Sequence, residues 1–211
     1  MSIHLPSVPG AMNRLRQAAQ VGDTIELNNG ILEEEDVLKG IDEAELIDTP
    51  LHIAAIGGHA NFAMAMMYLK PSCGRKLNRS LYSPMQLAMQ NEHREVVLDL
   101  LAVDKDLVRV KGREGYTALH YAAEKGDLDL LAQFLKDCPA CIEDVTIRKE
   151  TALHVAAKND KLEALELLAR FLRRTHLYWK VSKNHLLNSK NRNGDTVLHI
   201  AASNTQPKVC I

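Results

Sequence analysis

The sequence predicts an all-α protein, a solenoid of about six stacked helix-turn-helix repeats. Three observations carry that reading. The stretch Thr117-Ala118-Leu119-His120-Tyr121-Ala122-Ala123 has near-copies at Thr49-Pro50-Leu51-His52-Ile53-Ala54-Ala55, Thr151-Ala152-Leu153-His154-Val155-Ala156-Ala157 and Thr196-Val197-Leu198-His199-Ile200-Ala201-Ala202. A weaker copy, Ser83-Pro84-Met85-Gln86-Leu87-Ala88-Met89, lies 34 residues after Thr49 and 34 before Thr117, and Thr151 follows after another 34. Composition agrees: of 211 residues, 46% are hydrophobic and only 4% aromatic, which suits a long core of Ala and Leu between packed helices.

Each residue type in the motif has a physical task. The Thr or Ser hydroxyl caps a helix N-terminus, and Pro or Ala suits the first helical position. Leu and the Ala-Ala pair share one face at helical spacing, and the alanines keep that face thin enough for a neighbouring helix to approach. The His sits near the capped end. One ring nitrogen can bond the Thr hydroxyl or a backbone group while the other reaches toward the adjacent unit.

Asn13-Arg14-Leu15-Arg16-Gln17-Ala18-Ala19 aligns with the motif at a spacing of 36, with Gly22 placed to end the helix, and makes a degenerate first repeat. Its Arg and Gln suit a capping unit whose outer side meets water. The acidic run Glu33-Glu34-Glu35-Asp36 reads as a solvated loop. In the second repeat, Gly57-Gly58 suits a left-handed helix end, and the Met-rich run Phe62 to Leu69 reads as a helix buried between repeats rather than as an adaptable binding surface. Repeat three has Gln86 for His and Met89 for Ala, ends its first helix at Gln90-Asn91 without glycine, and is the expected weak joint; its second helix presents Val96, Val97, Leu100 and Leu101 as a buried stripe. Repeat four is the most regular, with Gly115 before its motif, Gly126 after it, and Leu128, Leu131 and Leu135 along its second helix. Repeat five shows Leu162, Leu165, Leu168 and Leu172, with Asn159 expected where repeat four has glycine.

From Thr151 to Thr196 the spacing grows to 45, an insertion of eleven residues. It is basic, and it prolongs the second helix of repeat five or forms a loop that holds the chain's one Trp, Trp179. After the sixth motif come only nine residues, with Pro207 at a possible helix start, so the last repeat is expected to be incomplete.

A period of 34 also suits tetratricopeptide repeats, but the Thr-Pro-Leu-His-x-Ala-Ala motif resembles the ankyrin repeat. The resemblance covers nearly the whole chain. It implies a single domain, residues 1–211, with repeats near 10–44, 45–78, 79–112, 113–146, 147–191 with the basic insertion at 173–187, and a partial 192–211. It implies a hairpin-like finger projecting between repeats, and Gly112-Arg113-Glu114-Gly115-Tyr116-Thr117 and Asn191-Arg192-Asn193-Gly194-Asp195-Thr196 fit the family's finger. Ile47 and Leu81 stand where that pattern has glycine, which leaves two turns open. The stretches Asp137 to Thr146 and Asn188 to Asn191 look like the plant ankyrin-repeat proteins that continue into a membrane-spanning C-terminal domain and act in defence and stress signalling. That resemblance implies a longer, membrane-anchored parent and a place in the cytoplasm or at the cytoplasmic face of the plasma membrane.

Charge and chemistry narrow the function. The net charge of -1 argues against nucleic acid as a partner, yet the charges are unevenly spread. Asp23 to Asp48 holds ten acids and one base; Leu167 to Gly194 holds no acid and seven bases. No signal peptide or membrane-spanning run is evident. Cys73, Cys138, Cys141 and Cys210 follow no disulfide framework, which suits a reducing compartment. Cys138 and Cys141 have redox spacing, but they end a predicted helix beside Asp137, Glu143 and Asp144, so structural thiols are expected. The motif histidines are spread one per repeat rather than gathered at a metal or acid-base site. No cofactor, no metal and no catalytic cluster is expected.

Two functions of different class remain. The first is a non-catalytic protein-interaction scaffold whose partner is addressed by the finger-tip residues Arg113, Glu114, Tyr116, Arg148, Lys149, Arg192 and Asn193, because residues not needed for stacking are free to specify a ligand. Arg113→Ala and Tyr116→Ala are expected to weaken binding without lowering stability. The alternative is a module that meets anionic lipid or calmodulin through the basic surface of Arg170, Arg173, Arg174, Lys180 and Lys183, a peripheral contact with no transmembrane segment.

Overall fold

The structure, a computed structural model, describes residues 9–33, 38, 41, 46–174 and 186–204. Among these the fold is all-α, and the one β-type pairing is an isolated parallel bridge between Leu46 and Leu77. The chain gathers into two compact units, Met1–Leu107 and Val108–Ile211.

The first unit holds α1 (Pro9–Val21), α2 (Thr24–Glu33), α3 (Pro50–Gly57), α4 (Ala60–Leu69), α5 (Pro84–Gln90) and α6 (Arg94–Val103). Odd-numbered helices pack in one row, α1 on α3 on α5, and even-numbered ones in a second, α2 on α4 on α6. Helix α1 starts at Pro9, a turn before the motif-aligned Asn13; Pro at the entry of a helix loses no hydrogen bond. Glu33 belongs to α2, and the rest of the acidic run lies outside the described residues. In α4, Phe62, Ala63, Met66 and Met67 are fully buried, so the Met-rich helix is core.

The second unit holds α7 (Ala118–Lys125), α8 (Leu128–Asp137), α9 (Ala152–Lys158), α10 (Leu162–Arg174) and α11 (Val197–Ser203). Here α7, α9 and α11 form one row, and α8 packs on α10. Leu119, Ala122, Ala123, Leu153, Ala156 and Ala157 have no exposed surface, as the thin apolar face requires. The buried stripe of α8 is Leu130, Leu131, Phe134 and Leu135, the same register as Val96, Val97, Leu100 and Leu101 in α6. Leu128 and Leu162, expected in the stripe, are half-buried because each opens its helix, one position before the turn that meets the neighbour. The first residues of the basic stretch, Arg170 to Arg174, belong to this helix: α10 spans Leu162–Arg174, 13 residues against 10 in α8. Residues 175–185, with Lys180, Lys183 and Trp179, lie outside the described residues, as do 205–211, with Pro207 and Cys210.

In each of the first five repeats, one residue after the first helix lies in the left-handed region. Gly22, Gly58 and Gly126 take it without steric cost, and Glu92 (φ 62°) and Asp160 (φ 56°) are held in it in the third and fifth repeats. The residue that stands for glycine in repeat five is therefore Asp160, not Asn159. Asn159 and Asn91 instead donate Nδ2 to the carbonyls of Val155 and Leu87, each at 2.8 Å, and so close the last turn of their helices.

Candidate partner-binding surface

The surface is built on a repeated frame that is buried at His52, His120 and His154 and exposed at His199. In four repeats the motif His lies at the third helical position and completes a capping box with the Thr before the helix. His120 is typical: Nδ1 faces Thr117 Oγ1 at 2.8 Å and accepts from the Thr117 N–H at 3.2 Å. Its Nε2 lies 3.2 Å from the Glu150 carbonyl in the next repeat, as those of His52 and His154 lie 3.1 Å from the carbonyls of Tyr82 and Ser189. This geometry needs a neutral ring with its proton on Nε2, since a proton on Nδ1 would face the Thr N–H. Burial agrees, holding His52 and His120 down at about 4, with His154 lowered as well.

From that frame the fingers project. Each is a five-residue loop closed by a backbone hydrogen bond from its first residue to the carbonyl of its fifth: Gly112 to Tyr116, Thr146 to Glu150 and Asn191 to Asp195, at 2.8 to 3.0 Å. Asn191 Oδ1 and Thr146 Oγ1 reinforce their loops by accepting two further backbone N–H groups each. Neighbouring fingers in the second unit meet by single bonds, from the Ile147 N–H to the Glu114 carbonyl and from the Arg192 N–H to the Arg148 carbonyl. The fingers are thus loops held edge to edge rather than paired strands. The turn at Leu81 keeps the glycine geometry, at φ 63°, and Lys149 does the same at φ 58°.

The expected site residues divide by position. Arg113, Glu114, Arg148, Lys149, Arg192 and Asn193 are exposed at the tips. Tyr116 is half-buried, its ring 5.6 Å from that of His120 and 5.4 Å edge-on from that of Tyr121. Burial raises its phenol to about 12, helped by Glu124, Glu150 and Glu114. Tyr116→Ala would therefore remove packing too, and the expectation that it leaves stability unchanged gives way. Arg148 reaches Glu114 at 3.6 Å, with both side chains about half exposed. Arg113, Lys149 and Arg192 have no acidic partner among the described residues.

The structure gathers Arg148, Arg192 and Asn193 around one cleft of about 400 Å³, together with Glu150, Lys158, Asn191, Asp195 and Ile200. Glu150 is 6% exposed and binds Lys158 Nζ at 3.2 Å on the cleft wall.

A family profile for three copies of the ankyrin repeat matches residues 102–176 and again 119–211. The chain belongs to the ankyrin-repeat family. Over 116 residues it is 27% identical to Protein ACCELERATED CELL DEATH 6 of Arabidopsis thaliana, a match that covers 54% of this chain and 17% of that protein. It is 31% identical over 163 residues to human NF-kappa-B inhibitor zeta, covering 58% of this chain and 22% of the relative. The ankyrin repeat-containing protein BDA1 of Arabidopsis thaliana is 41% identical over 66 residues, 31% of this chain and 16% of that one. The chain thus spans less than a quarter of each of these relatives. Among solved structures, a chain from the complex of a Bdellovibrio bacteriovorus predatory endopeptidase with an immunity protein shares the fold at a TM-score of 0.64 and 23% identity, over 90% of this chain and 91% of its own. Ankyrin repeats imply protein partners.

Within this ankyrin-repeat chain, the alternative basic surface is only partly visible. Arg170, Arg173 and Arg174 are exposed on α10, while the apolar face of that helix, with Leu165, Leu168 and Leu172, is already buried in the unit. A helix that grips lipid or calmodulin needs that face free. No described helix is long and apolar enough to cross a membrane. The Cys138 and Cys141 thiols are buried and form no disulfide, and the thiol of Cys141 is pushed up by its hydrogen bond to Cys138 and by burial. Cys141 fills the buried slot that Cys73 and Leu107 fill at intervals of 34, so its redox-like spacing follows from the repeat.

Reading the motif alone misses Glu150, Lys158 and Asp195. A signal existed: the residue just before each Thr or Ser varies, as Asp48, Tyr82, Tyr116, Glu150 and Asp195, where the motif itself does not. It also misses a second series of histidines. His59 and His93, ahead of α4 and α6, reach back to the carbonyls of Gln20 and Ile56 at 2.9 and 2.8 Å. Their rings lie where a side chain on Gly22 or Gly58 would stand.

Proposed function

We propose that the chain is a non-catalytic scaffold that binds a partner protein through the fingers of residues 108–211. The carrying observation is the contrast within one repeat. Buried positions recur nearly unchanged. At the exposed tips, Arg113 and Arg192 share with Arg79 the place four before the motif Thr or Ser, but the next position changes in every finger, as Ser80, Glu114, Arg148 and Asn193. Arg113, Lys149 and Arg192 lack an acidic partner among the described residues. Arg is among the residues whose loss most often costs an interface more than about 1 kcal/mol. Tyr116, beside these tips, adds an aromatic edge of the kind interfaces favour.

The two Arabidopsis relatives support a role in plant defence or stress signalling, and the animal NF-kappa-B inhibitor supports signalling more broadly. With that role goes a place in the cytoplasm or at the cytoplasmic face of the plasma membrane. The buried apolar face of α10 favours the scaffold over a lipid or calmodulin module acting through Arg170, Arg173, Arg174, Lys180 and Lys183.

A photo-crosslinking amino acid at position 113 or 192, introduced in plant cells, is expected to capture the same protein from both sites. The same probe at the exposed Glu163 of α10 should not. Equal capture at all three positions would refute the finger assignment, and capture at position 163 alone would move the interface to the second helices.

A further inference from the structure

Resting on the finger surface above, we propose that the cleft between the fifth and sixth fingers receives one carboxylate side chain, Asp or Glu, from an otherwise apolar segment of the partner protein. The backbone bond from the Arg192 N–H to the Arg148 carbonyl, 2.8 Å long, seats two arginines side by side on adjacent fingers. Like charges held next to one another repel unless an anion lies between them. None of this chain's described acids does that. Arg192 has no acidic partner, and Arg148 has only the half-exposed 3.6 Å contact with Glu114. Glu150 faces the same cleft but is committed to Lys158 at 3.2 Å.

The acids also limit what can enter. Glu114, Glu150 and Asp195 stand among Arg148, Lys158 and Arg192, so a chain of phosphates laid across the fingers would meet negative charge between each favourable contact. A single carboxylate escapes that repulsion and can take planar, paired hydrogen bonds from guanidinium groups. At about 400 Å³ the cleft suits one side chain and its adjoining backbone rather than a long polyanion. Beside it lie apolar contacts. Ile200 lines the cleft, and Tyr116, close enough to Arg148 and Glu150 for their charges to bear on its phenol, stacks edge-on with Tyr121.

The test is a selection of random short peptides displayed on phage against the immobilised full chain, followed by affinity measurements on the winning peptides. Enrichment of Asp or Glu beside Leu, Phe or Tyr is expected. Replacing that acid by its amide, or combining Arg148→Gln with Arg192→Gln, should weaken binding about tenfold or more, and the two losses should not add, because each removes the same contact. Both arginines are exposed and their finger bond is made by backbone atoms, so circular dichroism should show the double variant folded. Winning peptides with no acid, acidic peptides that bind the double variant unchanged, or the absence of any enriched peptide would each overturn the proposal, as would tighter binding of a short single-stranded DNA. Acid-free peptides that lose affinity on Arg113→Ala would leave the finger surface standing and remove only the carboxylate; peptides indifferent to all three arginines would remove both.

Discussion

At the scale of single residues, the motif histidines make this protein sensitive to acid. The unfolded chain takes up a proton on each His near pH 6.5, whereas folded His52 and His120 hold out to about 4. Between those values the unfolded state binds more protons, so stability is complete above about pH 6.5 and falls as the pH drops toward 4. Each of the two contributes at most about 3 kcal/mol of that loss. The chain supplies its own proton-inert substitute: in repeat three Gln86 Oε1 accepts from the Ser83 N–H at 3.0 Å and completes the same capping box. His120→Gln is therefore expected to cost about 1 to 2 kcal/mol at pH 7, through the lost bond to the Glu150 carbonyl, yet to flatten the pH dependence by one proton. Urea unfolding at pH 7 and pH 5 would show it; an unchanged pH slope in the variant would rule out His120 as a source.

At the scale of elements, the turns carry strain that the helices do not. Gly115 sits at φ 75°, and a Cβ there would stand 2.9 Å from the backbone N of Ile147, in the next finger. Gly115→Ala thus meets both a left-handed backbone and a neighbour that cannot move aside, and should destabilise by about 1 to 3 kcal/mol. The converse holds at Glu92, exposed and left-handed at φ 62°. Glu92→Gly relieves about 1 to 2 kcal/mol of strain and gives back part of it as chain entropy, for a net gain of about 0.5 to 1 kcal/mol. Thermal unfolding of both variants measures this, and a Glu92→Gly protein that melts lower than the parent would mean that the glutamate side chain holds something the turn needs.

At the scale of the whole molecule, stability should follow position in the array. Within each unit a repeat is braced by the neighbours it packs on, and opening starts where bracing is least. Hydrogen exchange should find the slowest amides in α7 to α10 and faster ones in α1 and α11. Repeat three remains the candidate weak joint, because Gln86 and Met89 depart from the motif, although Gln86 keeps the cap and Met85, Leu87 and Ala88 are buried. Protection in α5 and α6 equal to that in α7 and α8 would remove it from that role.

Local physics made much of this legible without coordinates. A Thr, a small residue, a Leu and two alanines specify where a helix starts and which face it hides, because caps and i to i+4 neighbours are encoded within one turn. Hence the helix starts, the buried Ala pairs, the left-handed glycines and the finger-tip candidates could be read by eye. Partners one repeat away could not. His59 and His93 bond backward, but the same slot holds Asp127 and Lys161 in later repeats, so no recurring letter marks it. The cleft joins Arg148 to Arg192 across an insertion that breaks the 34-residue period, and pairs Glu150 with Lys158 on a surface only the packed helices create. The sequence by itself determined the repeat, its caps and its core, since those depend on neighbours along the chain; tertiary structure alone decided which charges face one another, since that depends on how finger is set against finger.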